Sequence, residues 1–435
     1  MKTLFPKQVE AKDFFLQVQQ TNRNTLDTSD AGTGKTVVAA HLIRELGCPV
    51  AVLCPKSVIP SWERELADAG VEPLFVMNFE KIRGGRTKWM SKRGKKIMKW
   101  NIPPETLILC DEIHKCKGPY TLNAQLVISL QGQGFSIHGM SATAAEDPTE
   151  MRALGYMLEL HNLNRSLREQ GTITQPSWTT WMTRHGCGQN FWGQWELNKR
   201  STLKTVRETM YGNNTCRLSV DDLPEAFKEN RIFIEPIQFK DSAKIKRAYK
   251  ELGITPEIVE EYIVEGKITE GDHILTNILR ARQLAEGLKA PDIAEMAEDL
   301  MLEGLSVVIF VNFRDTVEAL CQRLQCDRVE GSQKTDRQQA IDDFTSDKTN
   351  CIVVNTTAGG TGVSLHDMHG NRPRVSLISP AFSAKDYVQV LGRIHRNGMK
   401  SNAMQKVLVA NGSVEEHVMA SMQRRLENLR TMQNN

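Results

Sequence analysis

The stretch Ser29-Asp-Ala-Gly-Thr-Gly-Lys-Thr36 stands between a short predicted strand and a helical pattern that runs from Val37 to Leu46. Its two glycines permit the tight turn that brings backbone N–H groups against a phosphate, and the N-terminus of the following helix points at the same anion. Lys35 adds a positive charge for the β- and γ-phosphates, and Thr36 offers a hydroxyl to Mg²⁺. The strict pattern has a glycine where Ser29 stands. We therefore predict a phosphate-binding loop whose nucleotide contacts are Gly32, Thr33, Gly34, Lys35 and Thr36.

Length and composition are those of an ordinary globular protein. The 435 residues predict two or three domains, and the net charge of +3 is too small to indicate a polyanionic partner by itself. The N-terminus lacks an apolar signal segment and no run of about 18 apolar residues occurs, so we expect a cytoplasmic protein, or a nuclear one in a eukaryotic host, with no membrane association. The nine cysteines are scattered without a CxxC pair, which favours reduced thiols over a zinc site.

Apolar, β-branched runs alternate with helical patterns in two parts of the chain. Leu107–Cys110 in the first part and Ser306–Val311 in the second are typical of buried parallel strands. This alternation predicts an α/β fold with a parallel sheet in each part. Ligands of such sheets bind at the carboxyl ends of the strands, and Lys35, Asp111 and Ser141 all follow predicted strands at that edge.

The segment 161–288 interrupts this alternation. It begins with polar sequence and becomes helical and charged from Asp241 to Leu288. We therefore predict three regions: a first lobe at 1–160, a mostly helical insertion at 161–288 and a second lobe at 289–435. Four tryptophans of the insertion are spaced three apart in pairs, which favours a core over a stacking platform; they are Trp178, Trp181, Trp192 and Trp195.

An acidic pair follows the predicted strand at 107–110. Asp111 at a strand end can hold Mg²⁺, and Glu112 beside it can polarise an attacking water. The alternative is a solvated acidic turn. The phosphate-binding loop upstream on the same predicted sheet favours the catalytic interpretation.

A predicted helix over Ala384–His395 leads into a second cluster. In a helix, Gln389, Arg393 and Arg396 lie at i, i+4 and i+7, on one face. Arginines in this array can reach a γ-phosphate from another lobe, as an arginine finger does. The alternative is a basic helix that faces solvent. That alternative fits poorly with Gly392 in mid-helix, which costs about 1 kcal/mol relative to alanine.

Read in order, these segments resemble the motif series of superfamily 2 helicases and translocases. The series comprises Gly32-Thr-Gly-Lys-Thr36, Asp111-Glu-Ile-His114, Ser141-Ala-Thr143, Thr357-Ala-Gly-Gly-Thr-Gly-Val363 and Gln389-Val-Leu-Gly-Arg-Ile-His-Arg396. Cys54-Pro-Lys-Ser-Val-Ile-Pro-Ser-Trp62 resembles motif Ia of the Swi/Snf-like, remodeller-type branch, and Val307-Val-Ile-Phe-Val-Asn-Phe313 resembles its motif IV. The resemblance spans most of the chain and implies two RecA-like lobes.

The resemblance also implies a nucleic-acid-dependent ATPase that uses ATP with Mg²⁺. Gln8 would select adenine, Gly362 of motif V would contact the nucleotide, and Thr36 and Asp111 would hold Mg²⁺. Glu112 would be the catalytic base. Ser141 and Thr143 would couple hydrolysis to lobe movement. The remaining catalytic residues would be Lys35, Asp111, Gln389, Arg393 and Arg396.

Residues 81–100 form a basic segment with nine Lys/Arg, no acidic residue and two interleaved tryptophans, Trp89 and Trp100. Such dense like charge favours a polyanion, and tryptophan can stack on exposed bases. A solvated loop or a nuclear-import signal is the alternative. Phosphate contacts carry no sequence information, so we expect weak sequence preference. The predicted nucleic-acid contacts are Lys56, Ser57, Lys81, Arg83, Arg86, Lys88, Lys92, Arg93, Lys95, Lys96, Thr356 and Thr357.

The expected function is ATP-driven translocation, with double-stranded DNA as the first choice of partner and single-stranded DNA or RNA as other choices. A strand-separating or branch-migrating DNA helicase is the second expectation, favoured by Ser141-Ala-Thr143, and an RNA helicase is the third. A different class of function would be an ATP-gated nucleic-acid-binding scaffold. The intact Glu112, Arg393 and Arg396 argue against that scaffold.

Overall fold

The computed structural model describes residues 2–21, 23–93, 97–163, 167–169, 172–191, 193–259, 273–331, 337–356 and 363–433. Contacts between residues divide the chain into two compact units, residues 1–223 with 427–435 and residues 224–426. Within the described ranges, no helix is long and apolar enough to cross a membrane.

The first unit is built on a parallel sheet. Its described strands are β1 (Thr25–Asp27), β2 (Val50–Cys54), β3 (Phe75–Asn78), β4 (Met90–Arg93), β5 (Ile97–Trp100), β6 (Leu107–Asp111), β7 (Ser136–Met140), β8 (Leu167–Glu169), β9 (Thr172–Gln175), β10 (Cys187–Gln189), β11 (Trp195–Leu197) and β12 (Thr215–Cys216). The sheet has the order β12-β1-β7-β6-β2-β3, with all neighbours parallel. Antiparallel hairpins are formed by β4 with β5, β8 with β9, and β10 with β11. Since β1 and β2 are buried along their whole length and β6 and β7 over most of theirs, continuous apolar runs are the sequence signature of this sheet.

Helices cover both faces of this sheet. They are α1 (Pro6–Gln20), α2 (Lys35–Leu46), α3 (Ile59–Asp68), α4 (Phe79–Arg83), α5 (Leu122–Gly132), α6 (Arg152–Met157), α7 (Trp178–Arg184) and α8 (Leu203–Met210). One core cluster joins α2 and α3 to the sheet, and a larger one includes α5 and the tryptophans of α7. Trp178 and Trp181 are only 4% and 3% exposed, which confirms their assignment to the core. Trp195 packs partly buried against the same cluster, and Trp192 lies outside the described residues.

A fully buried histidine lies on β7, the strand that leads to Ser141, and faces β1, the strand that leads to the phosphate-binding loop. His138 of β7 is the register partner of Thr25 in β1, and its Nδ1 lies 2.8 Å from the Thr25 hydroxyl oxygen. Its ring also contacts Phe15 edge-on, with ring centroids 4.9 Å apart. Burial lowers the pKa of His138 to about 3, so this histidine is neutral in the folded protein.

The second unit is built on another parallel sheet. Its described strands are β13 (Asn230–Ile237), β14 (Ser306–Val311), β15 (Asp327–Val329), β16 (Cys351–Asn355), β17 (Arg374–Ile378) and β18 (Ala403–Ala410), in the order β13-β18-β17-β14-β16-β15. All neighbours pair in parallel. The helices are α9 (Ser242–Glu251), α10 (Pro256–Val259), α11 (His273–Leu302), α12 (Arg314–Leu324), α13 (Arg337–Thr345), α14 (Ala384–Leu391) and α15 (Val414–Gln433). The predicted α/β class with two parallel sheets is confirmed.

A buried ion pair joins α11 to α15 in the second unit. The Lys289 ammonium lies 2.8 and 3.0 Å from the two carboxylate oxygens of Glu415, and both side chains are almost fully buried. Glu415 also accepts hydrogen bonds from the Ala410 backbone N–H and the Tyr249 hydroxyl. Both charged groups are therefore hydrogen-bonded, as a buried ion pair must be to offset the cost of removing its charges from water.

The segment 161–288 is less purely helical than its sequence predicts. It contributes an edge strand to each sheet, β12 to the first and β13 to the second, and the two compact units divide after Leu223. Strand β13 carries exposed Ile232 and Phe233 and includes Pro236, as an edge strand can. Helix α11 runs through Pro291 without interruption, across the expected boundary at 288. Domain boundaries at 160 and 288 stay predictions.

Candidate nucleotide site and nucleic-acid interface

The phosphate-binding loop lies between β1, which ends at Asp27, and α2, which begins at Lys35. Gly32 and Gly34 have φ angles of +86° and +91°, in the left-handed region that side chains disfavour. Gly34 is the residue that caps the N-terminus of α2. The predicted loop therefore has the required backbone, with a helix N-terminus directly behind it.

The Lys35 side chain folds back onto the loop. Its ammonium donates hydrogen bonds to the backbone carbonyls of Ser29 at 2.7 Å and Asp30 at 2.9 Å. Backbone carbonyls of the loop thus hold the Lys35 ammonium in place. Phosphate oxygens would replace these two carbonyls as acceptors, in stronger, charge-assisted hydrogen bonds.

Two side chains of the loop anchor it to the segment after β12. The Ser29 hydroxyl accepts from the Leu218 backbone N–H at 2.9 Å, which a glycine at this position could not do. The Asp30 carboxylate pairs with Arg217 at 2.5 Å and accepts from the Val220 backbone N–H at 3.1 Å. These anchors escaped the sequence analysis because the partners lie almost 190 residues away.

Gln8 contacts the phosphate-binding loop directly. Its side-chain amide donates to the Thr33 carbonyl at 2.7 Å and accepts from the Phe5 backbone N–H at 2.9 Å, and the residue is only 2% exposed. The structure therefore places Gln8 as a brace between α1 and the loop. Its selection of adenine stays a prediction.

The Asp111 carboxylate is oriented by two hydrogen bonds. One oxygen accepts from the Glu112 backbone N–H and the other from the Trp62 indole N–H, both at 2.8 Å. Burial, with the neighbouring Glu112 charge, raises the pKa of Asp111 to about 7, while the Trp62 hydrogen bond and the positive charge of Lys35 act in the opposite direction. Lys35 and Asp111 are thus brought into one electrostatic site, as predicted for residues at the same sheet edge. The contact with Trp62 was not predicted.

A histidine joins the acidic pair to Ser141. The Nδ1 atom of His114 lies 3.1 Å from a Glu112 carboxylate oxygen and 2.9 Å from the Ser141 hydroxyl oxygen. An ionised carboxylate only accepts, so Nδ1 carries the proton. The Ser141 hydroxyl also accepts from the Thr143 backbone N–H, and the Ser141 backbone N–H donates to the Asp27 carbonyl. Ser141 is therefore connected to Glu112 through His114 and contacts the end of β1 directly, and Thr143 contacts Ser141.

The prediction that three residues share one helical face in the second unit is wrong. Helix α14 ends at Leu391, and Gly392 caps its C-terminus rather than lying in mid-helix. Gln389 is therefore helical, whereas Arg393 and Arg396 follow the helix. A glycine at a helix end is a common stop signal, and periodicity alone hides it.

Both arginines contact the two residues that directly follow Gly362. The Arg393 guanidinium donates to the Val363 carbonyl at 3.1 Å, and that of Arg396 donates to the Ser364 hydroxyl at 2.5 Å. Gln389 is buried, and its amide nitrogen has no hydrogen-bond partner among the residues that the structure describes. Contacts of these three side chains with a phosphate stay predictions.

The motif V residues are described only in part. Thr356 is 3% exposed, and its hydroxyl donates to the Val311 carbonyl at 3.1 Å. The structure therefore places this side chain in the core, which corrects its expected role as a surface contact. Thr357 and Gly362 lie outside the described residues.

Five of the predicted nucleic-acid contacts are exposed in the first unit. Lys56 and Ser57 lie in a 3₁₀ turn, Lys56–Val58, directly after β2. The predicted contacts of the basic segment lie in or near α4 and the hairpin of β4 and β5. Lys81, Arg86 and Lys88 are exposed. Arg83 and Lys92 are half-buried, and Arg83 donates a hydrogen bond to the Asn123 side chain. Lys95, Lys96 and the Arg93 side chain lie outside the description.

The tryptophans of this basic segment do not offer a stacking surface. Trp100 is 5% exposed, and its indole N–H donates to the Ser129 hydroxyl at 2.9 Å within the core. Trp89 is half-buried and packs against Phe75, with Lys88 over its ring at 4.3 Å. The predicted base stacking by Trp100 is therefore wrong, since the alternation along β5 directs its indole inward while Lys99 is exposed.

Comparisons with known proteins find similarity to helicases. The helicase conserved C-terminal domain matches residues 292–398. The chain is 32% identical over 429 residues to the "Putative ATP-dependent RNA helicase L364" of Acanthamoeba polyphaga mimivirus, an alignment that covers 93% of this chain and 78% of the relative. It is 22% identical to the "CHD3-type chromatin-remodeling factor CHR7" of Arabidopsis thaliana, over 96% of this chain and 36% of that protein.

A solved structure, "Sulfolobus solfataricus SWI2/SNF2 ATPase core in complex with dsDNA", covers all of this chain with 97% of its own length, at 15% identity and a TM-score of 0.37. At that score the likeness carries no conclusion. The near full-length similarity to the viral helicase and the C-terminal domain match decide the family. The chain therefore belongs to the superfamily 2 helicases and translocases and is a nucleic-acid-dependent ATPase.

Proposed function

We propose that this ATPase moves along double-stranded DNA with little sequence preference and without separating the strands. One observation carries the choice of duplex. Lys56 in the turn Lys56–Val58 and Lys81, Arg86 and Lys88 in the basic segment are exposed, whereas Trp100, on the hairpin's second strand, is buried.

This surface fits a phosphate backbone better than unpaired bases. Proteins that track single strands combine cations with exposed aromatic rings on which bases stack. In this segment Trp100 is buried, and Trp89 is half-buried between Phe75 and Lys88. Lysine and arginine contacts with phosphates position a protein on a duplex but carry no sequence information. The expected partner is therefore DNA whose bases remain paired.

The first unit supplies donors that fit ATP and Mg²⁺. Lys35 and the backbone N–H groups of the loop would bind phosphate oxygens. Gln8, which contacts the loop, would select adenine. Mg²⁺ prefers hard oxygen ligands, and the Thr36 hydroxyl and Asp111 carboxylate form that donor set. When bound, the metal neutralises charge on the phosphates.

Glu112 is the proposed general base that orients and deprotonates the attacking water. Because His114 contacts both Glu112 and Ser141, a change at the base reaches Ser141 and the strand end at Asp27 through hydrogen bonds. This connection is the proposed route from hydrolysis to movement. In the second unit, the buried amide of Gln389 without a described partner is a suitable donor for phosphate or water.

The test measures phosphate release with duplex DNA, single-stranded DNA and RNA at equal nucleotide concentrations. Duplex DNA should give the largest stimulation. A triplex-displacement assay should then be positive and a strand-separation assay negative. Glu112→Gln should keep nucleotide binding, while both phosphate release and triplex displacement should collapse. If no nucleic acid raises the rate, the motor function is excluded, and retained turnover by the variant would remove Glu112 as the base.

A strand-separating or branch-migrating helicase is the second candidate, because Ser141-Ala-Thr143 resembles motif III of many strand-separating enzymes. RNA is a further candidate substrate, since one relative is named as an RNA helicase. Strand separation coupled to ATP hydrolysis would favour the DNA helicase. Preferential stimulation by RNA would favour RNA as the substrate. An ATP-gated scaffold would bind both ligands without turnover.

A further inference from the structure

A buried tryptophan contacts the proposed metal ligand of the site. Trp62 lies on α3, is 1% exposed and donates its indole N–H to Asp111 at 2.8 Å. The indole packs in the core cluster with side chains of β2 and β6, including Val52 and Leu109. A large side chain in a close-packed core has little freedom to turn, so the position of α3 decides where this donor points.

The hydrogen bond completes the orientation of the carboxylate. The other Asp111 oxygen accepts from the Glu112 backbone N–H, so each oxygen has one fixed donor. A carboxylate oxygen has two lone-pair sites. One acceptor direction on each oxygen is therefore held by the protein, and another is left for a cation.

Trp62 also stands close in sequence to the proposed nucleic-acid contacts. The turn with Lys56 and Ser57 is followed directly by α3, which begins at Ile59, and Trp62 lies within the first turn of this helix. A displacement of the turn by bound DNA would move the start of α3 and, with it, the donor that orients Asp111. The contact thus joins two functional regions through one helix.

We propose that Trp62 is a positioning residue, which orients Asp111 for Mg²⁺ and makes that orientation depend on nucleic acid bound at the turn Lys56–Val58. The first part concerns the nucleotide site alone. The second part rests on the proposed function. Groups that orient a metal ligand typically contribute about 10–100-fold to metal affinity.

The experiment compares Trp62→Phe with Trp100→Phe. Both replacements remove a buried indole N–H in the same unit, but Trp100 donates to Ser129 in the core and not to the site. Binding of a fluorescent ATP analogue is titrated with Mg²⁺ and, separately, in EDTA. For W62F the Mg²⁺ midpoint should rise about tenfold, while affinity in EDTA stays within about twofold of wild type. W100F should keep the wild-type midpoint. Equal midpoints in the two variants would overturn the proposal.

Loss of packing is separated from loss of the hydrogen bond by further variants. Trp62→Leu and Trp62→Met also remove the N–H and introduce no new donor, but they fill the core differently. A shifted Mg²⁺ midpoint common to all three replacements supports the hydrogen bond, whereas shifts that follow the melting temperatures overturn it. In an Asp111→Asn background, Trp62→Phe should cause no further change in Mg²⁺ dependence, and an additive effect would mean that Trp62 does not act through Asp111.

The dependence on nucleic acid has its own measurement. The Mg²⁺ midpoint is determined with and without duplex DNA. DNA should shift it in wild type and W100F but not in W62F, and a shift retained in W62F would overturn this part. If duplex DNA binds to wild type without altering turnover, the proposed function fails, while the comparison without DNA still decides the role of Trp62.

Discussion

Mild acid should weaken the first unit through its buried histidines, and His138 makes one separable contribution to that loss. In an unfolded chain, a histidine has a pKa near 6.5 and takes up a proton as the pH falls. In the folded protein burial lowers the pKa of His138 to about 3, so the ring stays neutral. Between these values the unfolded state binds more protons, and stability is lost as the pH falls. At pH 5, 1.5 units below the unfolded value and at 1.36 kcal/mol per unit, the loss is about 2 kcal/mol.

Urea unfolding at pH 7 and pH 5, followed by tryptophan fluorescence, tests this value. All seven tryptophans lie between residues 62 and 195, so the signal reports the first unit. His138→Asn keeps a polar atom near Thr25 but cannot titrate. It should be less stable than wild type at pH 7, because it loses the contact with Phe15, yet lose about 2 kcal/mol less on going to pH 5. His369→Asn, at an exposed position of the second unit, is the control. Equal losses in wild type and His138→Asn would refute the reasoning.

Three further predictions concern coupling, stability and DNA binding. Ser141→Ala removes the hydroxyl beside His114 and should reduce DNA stimulation of phosphate release about fivefold more than the basal rate, since a net hydrogen bond contributes about 1 kcal/mol; equal reductions would exclude the coupling role. Lys289→Met leaves Glu415 buried without its cation and should lower the free energy of unfolding by about 3–5 kcal/mol in thermal or urea denaturation, and Lys289→Met with Glu415→Leu should recover most of it; a larger loss in the double variant would contradict this. Lys88→Ala should weaken duplex binding in anisotropy titrations and reduce the slope of log affinity against log salt by about 1; an unchanged slope would exclude a phosphate contact.

The parallel sheets were predictable because their signal is local. Runs such as Leu107–Cys110 and Val307–Val311 contain apolar residues at every position, which is typical of a strand covered on both faces. The carboxyl ends of such strands share an edge, which predicts that Lys35 lies near Asp111. The phosphate-binding loop was equally local, since Gly34 and Lys35 adjoin in sequence.

The remaining features depend on partners that are distant in sequence. No local pattern connects Trp62 to Asp111, or Ser29 to Leu218, and both contacts arise only when the sheet assembles. Periodicity extended α14 beyond Leu391 because it detects apolar spacing but not a glycine cap. Composition alone suggested that Trp100 faces the same partner as the lysines around it. Pairing of β4 with β5 decides otherwise.

In the hairpin of β4 and β5, the residues that pack in the core are different from those that set the surface charge. Met90, Met98 and Trp100 are buried, whereas Ser91 and Lys99 pair across the strands at exposed positions. A substitution at Ser91 or Lys99 can therefore alter the electrostatic potential without removing a core contact. Evolution can adjust this surface to a new cellular ionic strength by single mutations, with little effect on how well the protein folds.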